Sequence, residues 1–168
     1  SANIDFAKIK AGGADIRFLD ADGTPLAYEI EAWDDTPGSE SARVWVKAAQ
    51  IDAGSNTDYI WIYYNNAAAA DAQNAAGVWP AGTGVWHLSQ DPGPGGAGDI
   101  KDADAGPNNG TADSTMTSAD LVTGKIGKAI HFDGTDDYID FASTDVGNAF
   151  TIEAWIKPDS GSLGIKTI

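Results

Sequence analysis

The chain has 168 residues with 25 acids against 10 lysines and arginines, a net charge of −15. That balance excludes a nucleic-acid partner and docking on anionic lipid, both of which need a basic surface, and no apolar run reaches the ~18 residues of a membrane span. A hydrophobic content of 42% suffices for a core, and the length fits one domain or two small ones.

In chain order, Asp5 to Lys10 reads as a short helix. Ala14 to Leu19 alternates as a strand, with Ile16 and Phe18 on one face. Asp20 to Thr24 is a tight turn of the Asp-Gly kind. Pro25 to Trp33 alternates again, and Arg43 to Lys47 is a further strand. Tyr59 to Tyr64 is apolar on both faces, which predicts a central strand. Residues 1–64 therefore read as an antiparallel meander. The alanine-rich stretch over 66–76 predicts a short helix. Pro80 to Gly84 is the domain boundary, giving an antiparallel β domain over 1–80 and a second domain over 85–168.

Val85 to Leu88 opens a new strand. Asp91 to Thr111, rich in glycine, proline, asparagine and aspartate, predicts a long surface loop. Lys128 to Phe132 and Asp137 to Phe141 flank Asp133-Gly134-Thr135-Asp136, a hairpin signature. Phe150 to Lys157 is the clearest alternating strand. Phe150, Ile152, Ala154 and Ile156 face one way; Thr151, Glu153, Trp155 and Lys157 face the other. The whole predicts an all-β, antiparallel β-sandwich.

The acids are unusual in kind: all but Glu29, Glu31, Glu40 and Glu153 are aspartate. Aspartate is a turn, cap and calcium residue rather than a helix former. Cysteine is absent, which excludes disulfides, zinc–thiolate sites and thiol nucleophiles.

The second half resembles the laminin-G-like, concanavalin A-like jelly-roll modules of bacterial secreted proteins. Four blocks carry the resemblance in order: Trp86-His87-Leu88; the polar loop from Asp102 to Thr111; Gly127 to Ile139 with its Phe132-Asp133-Gly134 hairpin; and Phe150 to Pro158. The first half resembles an uncharacterised bacterial domain that often precedes such modules. That domain also occurs in large surface proteins and in extracytoplasmic parts of MotA/TolQ/ExbB-like fusions. Its matching residues are Asp15 to Phe18, Asp20 to Thr24, Tyr28 to Glu31, Val44 to Lys47 and Ile62 to Tyr64. The resemblance implies a jelly roll in the second half that is incomplete at its C-terminal end, and a first domain lacking N-terminal strands. It also implies an extracellular, cell-surface or periplasmic location.

Candidate chemistry follows from residue types. Sugar hydrolysis needs two carboxylates facing each other across the substrate. The one alternating glutamate pair, Glu29 and Glu31, falls on a polar strand face and reads as solvated. His87 and His131 sit in strand patterns without metal spacing. An enzyme is not expected. Calcium suits the oxygen-rich segments: Asp133, Asp136 and Asp137 in the hairpin, and Asp102 and Asp104 with Asn108 and Asn109 in the polar loop. The laminin-G-like resemblance also implies a calcium ion. Trp155 and Tyr138 are the candidate aromatic platforms for a sugar. The expected function is non-catalytic binding or adhesion, to a glycan or a surface protein. The alternative is a structural module, a spacer or filament subunit, that self-associates through open strand edges such as Phe150–Lys157 and the stub at Ile165–Ile168.

Overall fold

The structure is a computed structural model, and it describes residues 4–54, 56–79, 84–94, 99–104, 108–141 and 149–158. Strands dominate it. The described residues form one three-stranded and three two-stranded sheets, all antiparallel, and no sheet closes on itself.

The first part builds two facing sheets. The strands β1 (Arg17–Asp20), β2 (Pro25–Leu26) and β5 (Ile60–Tyr63) form one, in the order β2-β1-β5. The other pairs β3 (Tyr28–Asp34) with β4 (Ser41–Val46). The β1–β2 turn is the expected one: Asp20 N–H donates to Thr24 O, Gly23 N–H to Asp20 O, and Gly23 sits at φ +89°, where glycine has no steric penalty. The single strand expected over Pro25–Trp33 is instead broken at Ala27, whose carbonyl accepts from Lys47 N–H. There the chain leaves the β2-β1-β5 sheet for the β3-β4 pair. Tyr28 holds the corner. It is buried, packs edge-on against Phe18, and donates its hydroxyl to Ile16 O at 2.8 Å. Between the sheets lies an apolar cleft of about 390 Å³, lined among others by Ile16, Phe18, Trp33, Val44, Val46 and Ile62.

This order corrects two expectations. Residues 1–64 are not a meander, because β5 returns to pair with β1. Nor is Tyr59 to Tyr64 central among the described strands: β5 lies at the edge of its sheet, with β1 as its one described neighbour. Its second apolar face is aromatic and exposed instead of covered by another layer. The expected helices shrink as well. Residues 5–10 make a single 3₁₀ turn, Phe6–Lys8, and α1 is the four-residue piece Ala75–Val78. Residues 67–70 stay outside the helix, and the carbonyls of Ala69 and Ala70 are taken from outside the segment. Lys10 Nζ donates to Ala69 O and the Arg17 guanidinium to Ala70 O, in place of the i+4 amides a helix would need.

In the second part, β6 (Gly110–Ala112) pairs with β9 (Ile139–Phe141), and β7 (Leu121–Thr123) with β8 (Lys128–Ile130). Ala112, Met116 and Ile130 form its core, with Leu88, Leu121 and Ile139 against them. The strands flanking Asp133–Asp136 therefore do not form a hairpin with each other, since each already has another partner. The polar loop is not wholly at the surface: Ile100 and Asp102 are buried and bridge to Gly110 and Trp86. Residues 150–157 form no strand. Phe150, Ile152, Trp155 and Ile156 are all exposed, because alternation specifies a face that wants cover and no described strand pairs with this one. The stub Ile165–Ile168 lies outside the described residues. A jelly roll is not assembled by the described strands.

The aspartates explain themselves locally. Asp22, Asp34, Asp71, Asp91, Asp113 and Asp133 each accept a hydrogen bond from the backbone N–H two residues on, at 2.7–3.0 Å. These are Asx turns, in which the side chain stands in for a backbone carbonyl and reverses the chain.

Candidate functional site

The clearest candidate surface is the outward face of β5. Alternation sends Ile60 and Ile62 into the cleft and Tyr59, Trp61 and Tyr63 outward. The three rings are 51%, 50% and 54% exposed. Tyr59 and Trp61 meet edge to face, with centroids 5.2 Å apart at 79°. Register places Leu19 opposite Trp61 and Arg17 opposite Tyr63 on the same face. At the Tyr63 end the row runs into a pocket of about 300 Å³ lined by Asp15, Arg17, Tyr63, Tyr64, Asn66 and Ala69. Aromatic faces thus adjoin a polar pocket.

Asp15 organises that pocket. It is 2% exposed, and its two oxygens accept from Lys10 N–H and Asn66 N–H, both at 2.8 Å. Burial alone would push its carboxyl up, but the backbone N–H groups of Lys10, Asn66 and Asn65 outweigh it and hold the carboxyl below the usual range. The Arg17 guanidinium is spread over Ala14 O, Ile16 O and the Tyr28 hydroxyl. The pocket wall is therefore tied down by the chain's own hydrogen bonds.

A second cluster lies on the outer face of β3 and β4. The register slips between Ile30 and Ala32, which leaves Glu31 as the extra residue of a bulge. Glu31 accepts from Trp45 Nε1 at 2.8 Å and pairs with Arg43 Nε at 3.3 Å. Glu29 accepts from Trp79 Nε1 at 2.6 Å. His87 Nε2 lies 3.3 Å from both Glu29 oxygens, and its ring stacks on Trp45 at 9°. The Glu29 and Glu31 side chains are only 14% and 3% exposed. These glutamates are not a solvated face, as the alternation suggested. They form a joint between β3, β4, Trp79 at the end of α1 and His87, where the strand expected over Val85 to Leu88 is reduced to a single bridge at Trp86. Sequence reasoning missed it because Trp45, Trp79 and His87 meet only through long-range folding. His131 is separate and half-exposed, 3.8 Å from Asp120.

The metal candidates divide. Asp133, Asp136 and Asp137 do come together, with carboxylate oxygens within 4.8 Å of one another, on an exposed turn. Their proximity has a local cause. Asp133 Oδ1 accepts from Thr135 and Asp136 N–H, and Asp137 Oδ2 accepts from Asp133 N–H, and the Thr135 N–H leads in lowering the Asp133 carboxyl. These bonds account for Asp133 Oδ1 and Asp137 Oδ2. Asp102 is different. It is 9% exposed; Oδ1 accepts from Val85 and Asp104 N–H, while Oδ2 is buried without a hydrogen-bond partner. That orphaned anionic oxygen fits a cation, in a loop that also holds Asp104.

The two sugar-platform candidates lie outside the aromatic row. Tyr138 is exposed just before β9, where hydrogen bonding to Asp113 raises its phenol. Trp155 is 78% exposed in the unpaired segment. The row itself was readable in Tyr59 to Tyr64 as an aromatic alternation, had the strand been assigned to an edge. No curated protein and no solved structure matches the chain. The segment that carries the row, residues 12–86, matches the family model of a domain of unknown function (DUF2341).

Proposed function

We propose that this chain is a non-catalytic, extracytoplasmic binding module that holds a neutral glycan on the Tyr59–Trp61–Tyr63 face. The observation that carries the reading is the exposure of three alternating aromatic rings on one edge strand beside a pre-formed polar pocket. Scattered apolar residues on a surface need no explanation, but a contiguous aromatic patch does. Sugar rings present apolar C–H faces that stack on aromatic rings, while their hydroxyls need fixed polar partners. The corner between Tyr59 and Trp61 offers the first, and the pocket beside Tyr63 offers the second. A net charge of −15 repels acidic polysaccharides, so the ligand is uncharged. Hydrolysis is not part of the reading. Glu29 and Glu31 are shut from solvent and engaged by tryptophan, histidine and arginine, so they cannot flank a sugar. The location outside the cytoplasm rests on the resemblance to secreted and surface modules.

Affinity electrophoresis through gels containing neutral polysaccharides (mixed-linkage β-glucan, xylan, mannan) tests this. Retardation by at least one is expected, and Trp61→Ala should weaken it about tenfold, ~1.4 kcal/mol. A Trp61→Ala chain retarded as strongly as the parent would refute the site.

One observation favours a second reading, self-association. Phe150, Ile152 and Ile156 are exposed on a segment that pairs with none of the described strands, and such segments recruit strands from neighbours. Because the charge opposes contact, association should strengthen with salt. Light scattering checks it: an oligomer in high salt that Ile152→Lys abolishes supports this reading, and a monomer at every salt concentration contradicts it.

A further inference from the structure

We propose that the Tyr59–Trp61–Tyr63 face takes one soluble glycan chain at a time and does not hold the flat surface of a crystalline polysaccharide. The inference rests on the glycan reading above and names the form of ligand that the ring geometry admits. A flat lattice of sugar rings needs aromatic faces lying in one plane, because stacking sets a ring face against a C–H face. Tyr59 and Trp61 do not share a plane: their centroids are 5.2 Å apart and their rings stand at 79°. A sheet of sugars laid on the face of one ring meets only the edge of the other. A single chain turns about its glycosidic bonds and follows the corner.

The width of the row and the pocket at its end point the same way. The one described neighbour of β5 is β1, and the residues opposite Trp61 and Tyr63 on it are Leu19 and Arg17. Neither adds a ring, and the Arg17 guanidinium is turned to Ala14 O, Ile16 O, the Tyr28 hydroxyl and Ala70 O. Over the described residues the aromatic track is one strand wide, which fits one chain. Beyond Tyr63, the pocket of about 300 Å³ is at the small end of ligand pockets and suits one sugar unit. Its charges are engaged internally, Asp15 by the Lys10 and Asn66 N–H groups and Arg17 by carbonyls. Asn66 Oδ1 accepts from Ala68 N–H at 3.1 Å. That bond fixes the amide and leaves its N–H₂, with the Tyr63 hydroxyl, as neutral donors for sugar oxygens. One sugar sits in the pocket while the chain behind it crosses Tyr63 and Trp61 and bends at Tyr59.

Binding is compared between two physical forms of the same sugar. The pairs are soluble mixed-linkage β-glucan and microcrystalline cellulose, soluble galactomannan and crystalline mannan, and soluble arabinoxylan and debranched crystalline xylan. The parent chain should bind at least one soluble polymer and stay in the supernatant over its crystalline counterpart, with affinities about tenfold or more apart. Trp61→Ala should weaken the soluble interaction; if that variant does not fold, Tyr59→Ala, at another exposed ring, replaces it. Binding to the crystalline form as tight as to the soluble one, and lost in the same variant, overturns this inference while the glycan reading stands. No binding to any form, or binding indifferent to both variants, overturns the two together.

Discussion

Asp15→Ala is expected to destabilise the chain by about 3 kcal/mol, because it strips acceptors from buried backbone donors of two separate loops. Lys10 N–H and Asn66 N–H both end on this carboxylate. The loss is also structural. Lys10 precedes β1 and Asn66 follows β5, so Asp15 ties the entry of the sheet to its exit. Asp15→Asn should cost less, because one oxygen remains, although its amide N–H₂ would face an N–H donor. The pH dependence has a definite sign. A carboxyl held below its usual range stabilises the fold above the unfolded value of about 3.9 and loses that contribution as pH falls through the folded value. The stability gap between the parent and Asp15→Asn should therefore be full at neutral pH and shrink in acid below about pH 4. Urea titrations at several pH values measure it. A gap that is constant down to pH 2.5, or an Asp15→Ala chain within about 0.5 kcal/mol of the parent, would contradict this account.

Glu31→Ala should cost a similar amount, about 3 kcal/mol, for a different reason. Glu31 is the acceptor for Trp45 Nε1 and the partner of Arg43, and lies 3.9 Å from His87 Nδ1. Removing it leaves a part-buried indole N–H unmatched and Arg43 without its anion. Glu31→Gln keeps an acceptor for Trp45 and should recover part of the loss. If Glu31→Ala unfolds at the same denaturant concentration as the parent, the cluster is not a joint. If Gln and Ala are equally damaging, charge rather than the Trp45 hydrogen bond holds it.

What could be read from the sequence was mostly local. The Asp20–Thr24 turn, the alternation of β3 and β4, and the role of aspartate in turns all depend on residues within a few positions of each other. The failures are long-range. Tyr59 to Tyr64 is apolar on both faces whether it lies in the middle of a sheet or at its edge, and only the pairing of β5 with β1 alone decides it. The run from Pro25 to Trp33 keeps its alternation while changing sheets at Ala27, so periodicity could not reveal the corner. Glu29 and Glu31 have the pattern of a wet face, and a histidine more than fifty residues later makes them a buried cluster. Asp133 to Asp137 has hairpin chemistry, but its flanking strands found other partners.

The most direct test of the glycan face is a nuclear magnetic resonance titration of the ¹⁵N-labelled chain with oligosaccharides of whichever neutral polysaccharide retards it in gels. The expected result is saturable shifts of the Trp61 indole N–H and of the amides of Trp61, Tyr63, Tyr64 and Asn66. Signals of the Phe150–Lys157 segment should stay in place. Shifts confined to Trp155 and its neighbours, with β5 unmoved, would contradict the account.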